Sequence, residues 1–157
     1  MRPKLRKEIE RLKQILSSHG LEFLPVDGAT NQQIRKIENE TDVELDPDLR
    51  AFYQFTNGSD RATWFAVMSD QLTPCLFPDL NDALEAWSWF LPYDQSTYEE
   101  WSDTTTPRDG RIQPGYLHHR AWFPIAEFNG YSTSIYFDAD PTDKGQYGQI
   151  IVYQHDP

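Results

Sequence analysis

Residues 134–156 read SIYFDADPTDKGQYGQIIVYQHD, two apolar runs rich in β-branched and aromatic side chains on either side of a polar middle, DADPTDKGQYG at 138–148. A calcium loop of the EF-hand type needs oxygens at its first, third and fifth positions, glycine at the sixth and glutamate at the twelfth. Counted from Asp138, the first three are Asp138, Asp140 and Thr142, but the sixth is Asp143 and the twelfth Gln149, and the flanks are strand-like. The stretch therefore reads as a turn between two strands, with Pro141, Gly145 and Gly148 present for backbone reasons. Along a strand Asp138 and Asp140 share a face, which leaves a pair of acids at a sheet end, read as a solvated edge.

Working outward, AWFPIAEF (121–128), STSIYFDAD (132–140) and GQIIVYQHD (148–156) form a β-meander, with Asn129-Gly130 at the first turn. At the other end of the chain, Leu5, Ile9, Leu12, Ile15 and Leu16 recur at helical spacing, with Gly20 placed to stop an amphipathic helix within residues 1–20. Its basic outer face is read as the solvated side of a docked helix. Thr30-Asn31-Gln32-Gln33 is a capping box that starts a second helix. Asp46-Pro47 starts a third, whose apolar face is Leu49, Phe52, Tyr53 and Phe55 and whose stop is Asn57-Gly58. WFAVM at 64–68 and a proline-interrupted segment at 72–77 read as strands. A further helix, capped by Asp79 or Asn81, carries Leu80, Leu84, Trp87 and Phe90 or Leu91. Residues 92–114 are a polar surface excursion around Tyr98 and Trp101. The order α, α, α, β, β, α, β, β, β in a single domain, 1–157, predicts an α+β fold: a mostly antiparallel sheet ending in a C-terminal β-meander, with helices packed against it.

The chain has 157 residues and a formal net charge of −11. Residues 1–13 hold six basic and two acidic side chains, a net of +4, so the rest carries −15. So acidic a body repels phosphates, which argues against nucleic acid and suits a basic protein partner. A single cysteine, Cys75, excludes an internal disulfide and reads as a structural thiol in a reducing compartment, hence a cytoplasmic protein. No apolar run of membrane-spanning length occurs, and no membrane association is expected. His118 and His119 are adjacent and would point to opposite faces of an extended segment, and His19 and His155 lie far off, so no zinc spacing exists. No phosphate loop, dinucleotide fingerprint or nucleophile elbow is present, and neither cofactor nor metal is expected. Five Trp, eight Tyr and nine Phe exceed what one core readily hides; an acidic surface with aromatic anchors is a protein-binding surface.

Three stretches carry a family resemblance: LDPDLRAFYQFTNGS (45–59), RIQPGYLHHRAWFPIAEFNG (111–130) and the 134–156 stretch. In that order they resemble the Smi/Knr-type proteins of the SUKH superfamily, which include fungal regulators of cell-wall assembly and bacterial immunity factors against polymorphic toxins. The likeness runs from about Ala29 to the end. It implies an α+β fold, a protein-binding role without known catalysis, and DADPTDKGQYG as the hairpin between the last two strands. Asn57, Gly58, Trp122, Pro124, Asp138, Pro141, Gly148 and Gln149 match its signature and are read as architectural. Trp122, Asp138, Asp140, Tyr131 and Trp101 are the candidate partner-contacting residues. Two departures stand out. Family members often continue into another helix where this chain stops at Pro157, and Asn129-Gly130-Tyr131 is less glycine-rich than the family's turn. The expected function is an immunity-type protein that neutralises a basic toxin domain by binding it; the alternatives are a regulatory scaffold and, from another class, a hydrolase using Asp138, Asp140 or Glu127.

Overall fold

The computed structural model describes residues 3–20, 22–59, 64–68, 71–93, 109–114, 116, 118–128 and 133–154. Helix α1 (Pro3–Ser18) is followed by α2 (Asn31–Thr41) and α3 (Pro47–Phe55), a hairpin of β1 (Trp64–Met68) and β2 (Gln71–Cys75), and α4 (Leu80–Phe90). A short 3-10 turn (Leu91–Tyr93) precedes the meander β3 (Trp122–Phe128), β4 (Thr133–Asp138) and β5 (Gln149–Gln154). The predicted order and the α+β class both hold. Trp101, Tyr98, Tyr131, the Asn129-Gly130 turn and most of the 92–114 excursion lie outside the described residues.

Local chemistry explains each start. Thr30 accepts the Gln33 amide while the Gln33 side chain takes the Thr30 amide, the full capping box; Asp46 caps α3 ahead of Pro47, and Asp79 caps α4 through the Asn81 and Asp82 amides. The ends correct one expectation. α3 stops at Phe55, with Thr56 as its cap, before Asn57-Gly58 is reached. Thr56 and Ser59 are fully buried, and the segment between them ties three elements together. The Thr56 hydroxyl accepts the Val26 amide and donates to the Gly58 carbonyl, Asn57 Oδ1 accepts the Leu80 amide at 3.1 Å, and Ser59 bonds both ways with Phe77. Asn57 therefore serves the start of α4 rather than the end of α3.

The meander is antiparallel in the order β3-β4-β5, and the β1-β2 hairpin joins it through one bridge, Leu76 with Glu127, two bonds of 2.9 Å. Pro124 sits beside a register shift between Pro124 and Ala126, where a residue without an amide is accommodated at a bulge. One face of the meander, with Phe123 and Phe137, packs under α2, α3 and α4 on Ile34, Ile37, Leu45, Tyr53 and Leu80. The other face carries Trp122, Tyr136 and Ile151, backed by Ile112, Tyr116 and Tyr153. The buried stripe of α4 departs from the large residues expected, because Ala83 and Ala86 share it with Leu80 and Trp87 and Leu84 is only half-buried. Small side chains let this helix approach β3 closely. α1 docks by Ile9 and Leu16 and keeps its charges outward, pairing Arg11 with Glu8 and Lys13 with Glu10.

One glycine is fixed by packing, with no signal in the sequence. A Cβ on Gly28 would lie 1.8 Å from the Gln54 carbonyl oxygen, because the loop into α2 crosses directly over the end of α3. The Ala29 amide bonds Tyr53 O and the Asn57 amide bonds Asp27 O across the same crossing. Gly28→Ala should destabilise the protein by about 3 kcal/mol or more, since backbone must move. Gly110→Ala, with nothing within 4 Å of its Cβ, should stay within about 0.5 kcal/mol of the parent. Urea denaturation of the two variants checks the contrast; equal midpoints would mean that the crossing relaxes freely.

Candidate functional site: the β4–β5 turn and the aromatic face beneath it

The 138–148 stretch is a turn, and its first carboxylate lies inside it. Asp138 is fully buried at the end of β4, which overturns the reading of Asp138 and Asp140 as a solvated pair. Its Oδ1 accepts the Asp140 amide at 3.1 Å and its Oδ2 accepts Gln149 Nε2 at 2.8 Å. Gln149 donates from the same nitrogen to the Arg111 carbonyl at 3.0 Å, and its Oε1 accepts the Gln146 amide. The 109–113 segment closes over the turn: Thr142 bonds the Arg111 and Gly110 carbonyls, and Gln113 donates to Pro141 O. Gly148 adopts φ +77°, and a Cβ there would meet the Phe137 ring at 2.7 Å, so glycine is required twice over. Burial raises the Asp138 carboxyl above its ordinary range, with the Gln149 and Asp140 hydrogen bonds opposing that shift.

Asp140 instead points outward, its side chain 59% exposed and 3.6 Å from His119 Nε2. Glu127, the third carboxylate of the hydrolase reading, lies at the far end of β3. Trp122 pairs with Asp138 and Glu127 with Ser134, so about 14 Å of strand separates Glu127 from Asp138. A carboxylate pair sharing one reaction needs roughly 5–10 Å. These three residues do not form a carboxylate dyad. Among the described residues no three His, Cys, Asp or Glu side chains gather in metal-binding geometry. The half-buried Cys75 thiol is pushed up to about 11, chiefly by burial and then by the Glu127 charge, the opposite of nucleophile activation.

Beneath the turn lies a set of packed rings. His118 is 1% exposed, stacked on Phe90 at 4.8 Å and met edge-on by Tyr136 at 5.3 Å and Trp122 at 5.9 Å. His119 meets Tyr116 edge-on at 4.2 Å, and its Nδ1 accepts the Ala121 amide. The two histidines meet different rings, Phe90 and Tyr116, but share Trp122, each at 5.9 Å. α4 is anchored to this segment through Trp87 Nε1, which donates to Arg120 O at 2.7 Å. Neither His118 nitrogen nor Trp122 Nε1 has a hydrogen-bond partner among the described residues, so ring packing alone holds His118.

Of the predicted contact residues, Trp122 at 3% exposure and Asp138 at 0% are inside; they support a surface and do not form one. Asp140 is the one described contact candidate that reaches solvent. Trp101 and Tyr131 lie outside the described residues. Among the signature positions, Asn57 and Gly58 join α3 to α4, Pro124 marks the bulge, and Pro141, Gly148 and Gln149 build the turn. The exposed aromatic rings among the described residues are Trp89, Tyr93 and Tyr147. Sequence reasoning missed Tyr147, whose position in the polar turn concealed its packing on Phe137.

Asp138→Ala should cost about 1–3 kcal/mol by stranding Gln149 Nε2 and the Asp140 amide. Asp138→Asn, which keeps an acceptor for one of them, should cost less; a urea midpoint that ranks the two in the opposite order would remove the clamp role.

His118 supplies a pH signature. Burial, then the His119 charge, lowers its pKa from 6.5 to about 3. The folded state therefore binds the proton less well than the unfolded one, and stability present above 6.5 is lost as pH falls toward 3. His118→Phe should flatten this limb, so that the parent loses roughly 2–3 kcal/mol more than the variant between about pH 7 and pH 4.5. Parallel urea titrations at the two pH values measure it, and equal losses would contradict it.

The model of the SMI1 / KNR4 family (SUKH-1) matches residues 28–157, so α1 precedes the matched region. No curated protein matches the chain.

Proposed function

Because the chain belongs to the SMI1/KNR4 family (SUKH-1), a family that includes immunity proteins, we propose that it is a non-catalytic binding module of the immunity type, which neutralises a basic toxin domain by binding it. The observation that carries this reading beyond the family is charge. Residues 28–157 hold 21 acidic and 8 basic side chains, a net of −13. A toxin that acts on nucleic acid must be basic to hold its substrate, and an acidic inhibitor both attracts it and covers that surface. The distance of Glu127 from Asp138, and the engagement of both Asp138 oxygens by internal donors, favour binding over hydrolysis. No helix among the described residues is long and apolar enough to cross a membrane. We place the protein in the cytoplasm, where such a toxin would act.

The test is recovery of the partner from the native lysate at low salt, stepwise elution with salt, and stopped-flow kinetics on the purified pair. Association should slow at least about 10-fold between low and high ionic strength while dissociation changes little. Rates independent of salt would overturn the electrostatic mechanism. Recovery of several cell-envelope or signalling proteins in place of one basic partner would replace immunity with a regulatory scaffold.

A further inference from the structure

Among the described strands, β5 is the last of the meander. β3 is joined to the hairpin by the Leu76–Glu127 bridge and β4 is paired on both sides, whereas β5 pairs only with β4 among the described residues. Soluble proteins protect such edges with lysine, proline, a bulge or a covering element. Gln149–Gln154 reads QIIVYQ, with no charge and no proline, and its register with β4 runs unbroken over six pairs. Ile150 and Val152 are 57% and 62% exposed. They lie beside Phe137 and Ile135 on the face that α2, α3 and α4 cover over β3 and β4, so the helical layer stops short of the last strand.

What borders this edge is acidic. Tyr147, just before β5, packs edge-on against Phe137 at 5.7 Å and donates its hydroxyl to the Glu44 carbonyl. That contact brings residues 38–48, ENETDVELDPD, to the β5 end of the sheet. The segment holds six carboxylates and no basic side chain. Glu38 is paired with Arg50 and Glu40 with Lys36, while Asp42 and Glu44 are exposed. Burial and then the Glu44 charge raise the Tyr147 hydroxyl pKa, with Glu38 and Asp46 adding to the shift.

We propose that β5 is a docking edge for an extended basic segment of the protein partner. The segment adds as a strand beside Gln149–Val152, sets apolar side chains on Ile150 and Val152, and turns basic ones toward Glu44 and its neighbours. Strand addition draws affinity from main-chain hydrogen bonds and selectivity from alternate side chains, the two things this edge offers. The alternative occupant, a second copy, would also place Ile150 opposite a Val152, but each copy carries −11 and brings the same acidic border. The inference rests on the binding role proposed above and names its surface.

The probe is a capped synthetic peptide of alternating lysine and valine, with a glutamate–valine peptide as control, titrated into the full chain under amide NMR detection. The lysine peptide should shift and protect amides within residues 149–152, weaken as salt rises, and lose at least about 10-fold in affinity on the double variant Ile150→Lys, Val152→Lys. Glu44→Lys should weaken it several-fold, and the glutamate peptide should not bind. Both variants alter exposed side chains, and their urea midpoints verify that the fold is intact. Shifts centred elsewhere, unchanged affinity in the double variant, or a parent dimer that the double variant dissociates would each overturn the proposal. If a basic partner is recovered but binds the double variant as tightly as the parent, the docking edge fails and the immunity reading stands. If the lysine peptide seats on β5 and the lysate yields no basic partner, the edge stands and the immunity reading fails.

Discussion

The carboxylate of Asp138 holds the last two strands in register, and the layering of the sheet depends on that register. A strand slip of one residue would exchange the two faces. Phe137 would leave the helical layer and Tyr136 would enter it. Asp138 prevents this from one end: through Gln149 it grips the first residue of β5, and through the Asp140 amide it fixes the chain's exit from β4. An acid is a costly choice in a place with no solvent exposure. It is tolerated because each of its oxygens meets a donor, and charge-assisted bonds are the stronger kind. The Arg111 carbonyl on the far side of Gln149 extends the clamp to the 109–113 segment, so the turn is held from both sides.

The opposite face obeys a different rule. There, among the described residues, His118 and Trp122 meet rings and their ring nitrogens meet no hydrogen-bond partner. The anchoring bond of Trp87 to Arg120 brings the end of α4 over this cluster, which positions Phe90 against His118. Helix, segment 118–121 and sheet therefore form one mechanical unit. Two of the titratable residues buried in it, His118 and Asp138, respond to acid in opposite senses. His118 loses stability as pH falls, whereas Asp138, whose carboxyl pKa is raised, contributes more as pH falls through that raised value toward the unfolded one.

The order of elements was readable because each carries its own local signal: caps at Thr30, Asp46 and Asp79, a helical repeat in α1 and α4, and β-branched runs in the meander. The turn at 138–148 was readable from the failure of the calcium pattern and the placement of its glycines. What escaped was long-range. Asp138 looks solvated in a polar string, and only Gln149, eleven residues on, makes its burial possible. His118 is buried by Phe90 and Tyr136, both distant in the sequence, together with Trp122 four residues on. Gly28 matters because α3 passes beneath it, and nothing within its own loop says so. The run QIIVYQ has the composition of a buried strand; its exposed alternate face follows from being last in the sheet, a topological fact that composition does not encode.

The family signature has a consequence for where binding specificity resides. Asn57, Gly58, Trp122, Asp138, Gly148 and Gln149 are all committed to the fold: as links, as a ring in a buried cluster, or as parts of the turn clamp. A residue whose polar atoms are consumed internally supports a surface without forming one. Discrimination falls to side chains that the framework holds but does not use. On this chain the described residues of that kind include the exposed Asp42 and Glu44, the outward Ile150 and Val152 of β5, and Asp140. Because they lie at the margins of one rigid hairpin, substitutions among them can alter charge and shape without disturbing the clamp beneath. A domain arranged in this way can change its exposed side chains while keeping its fold.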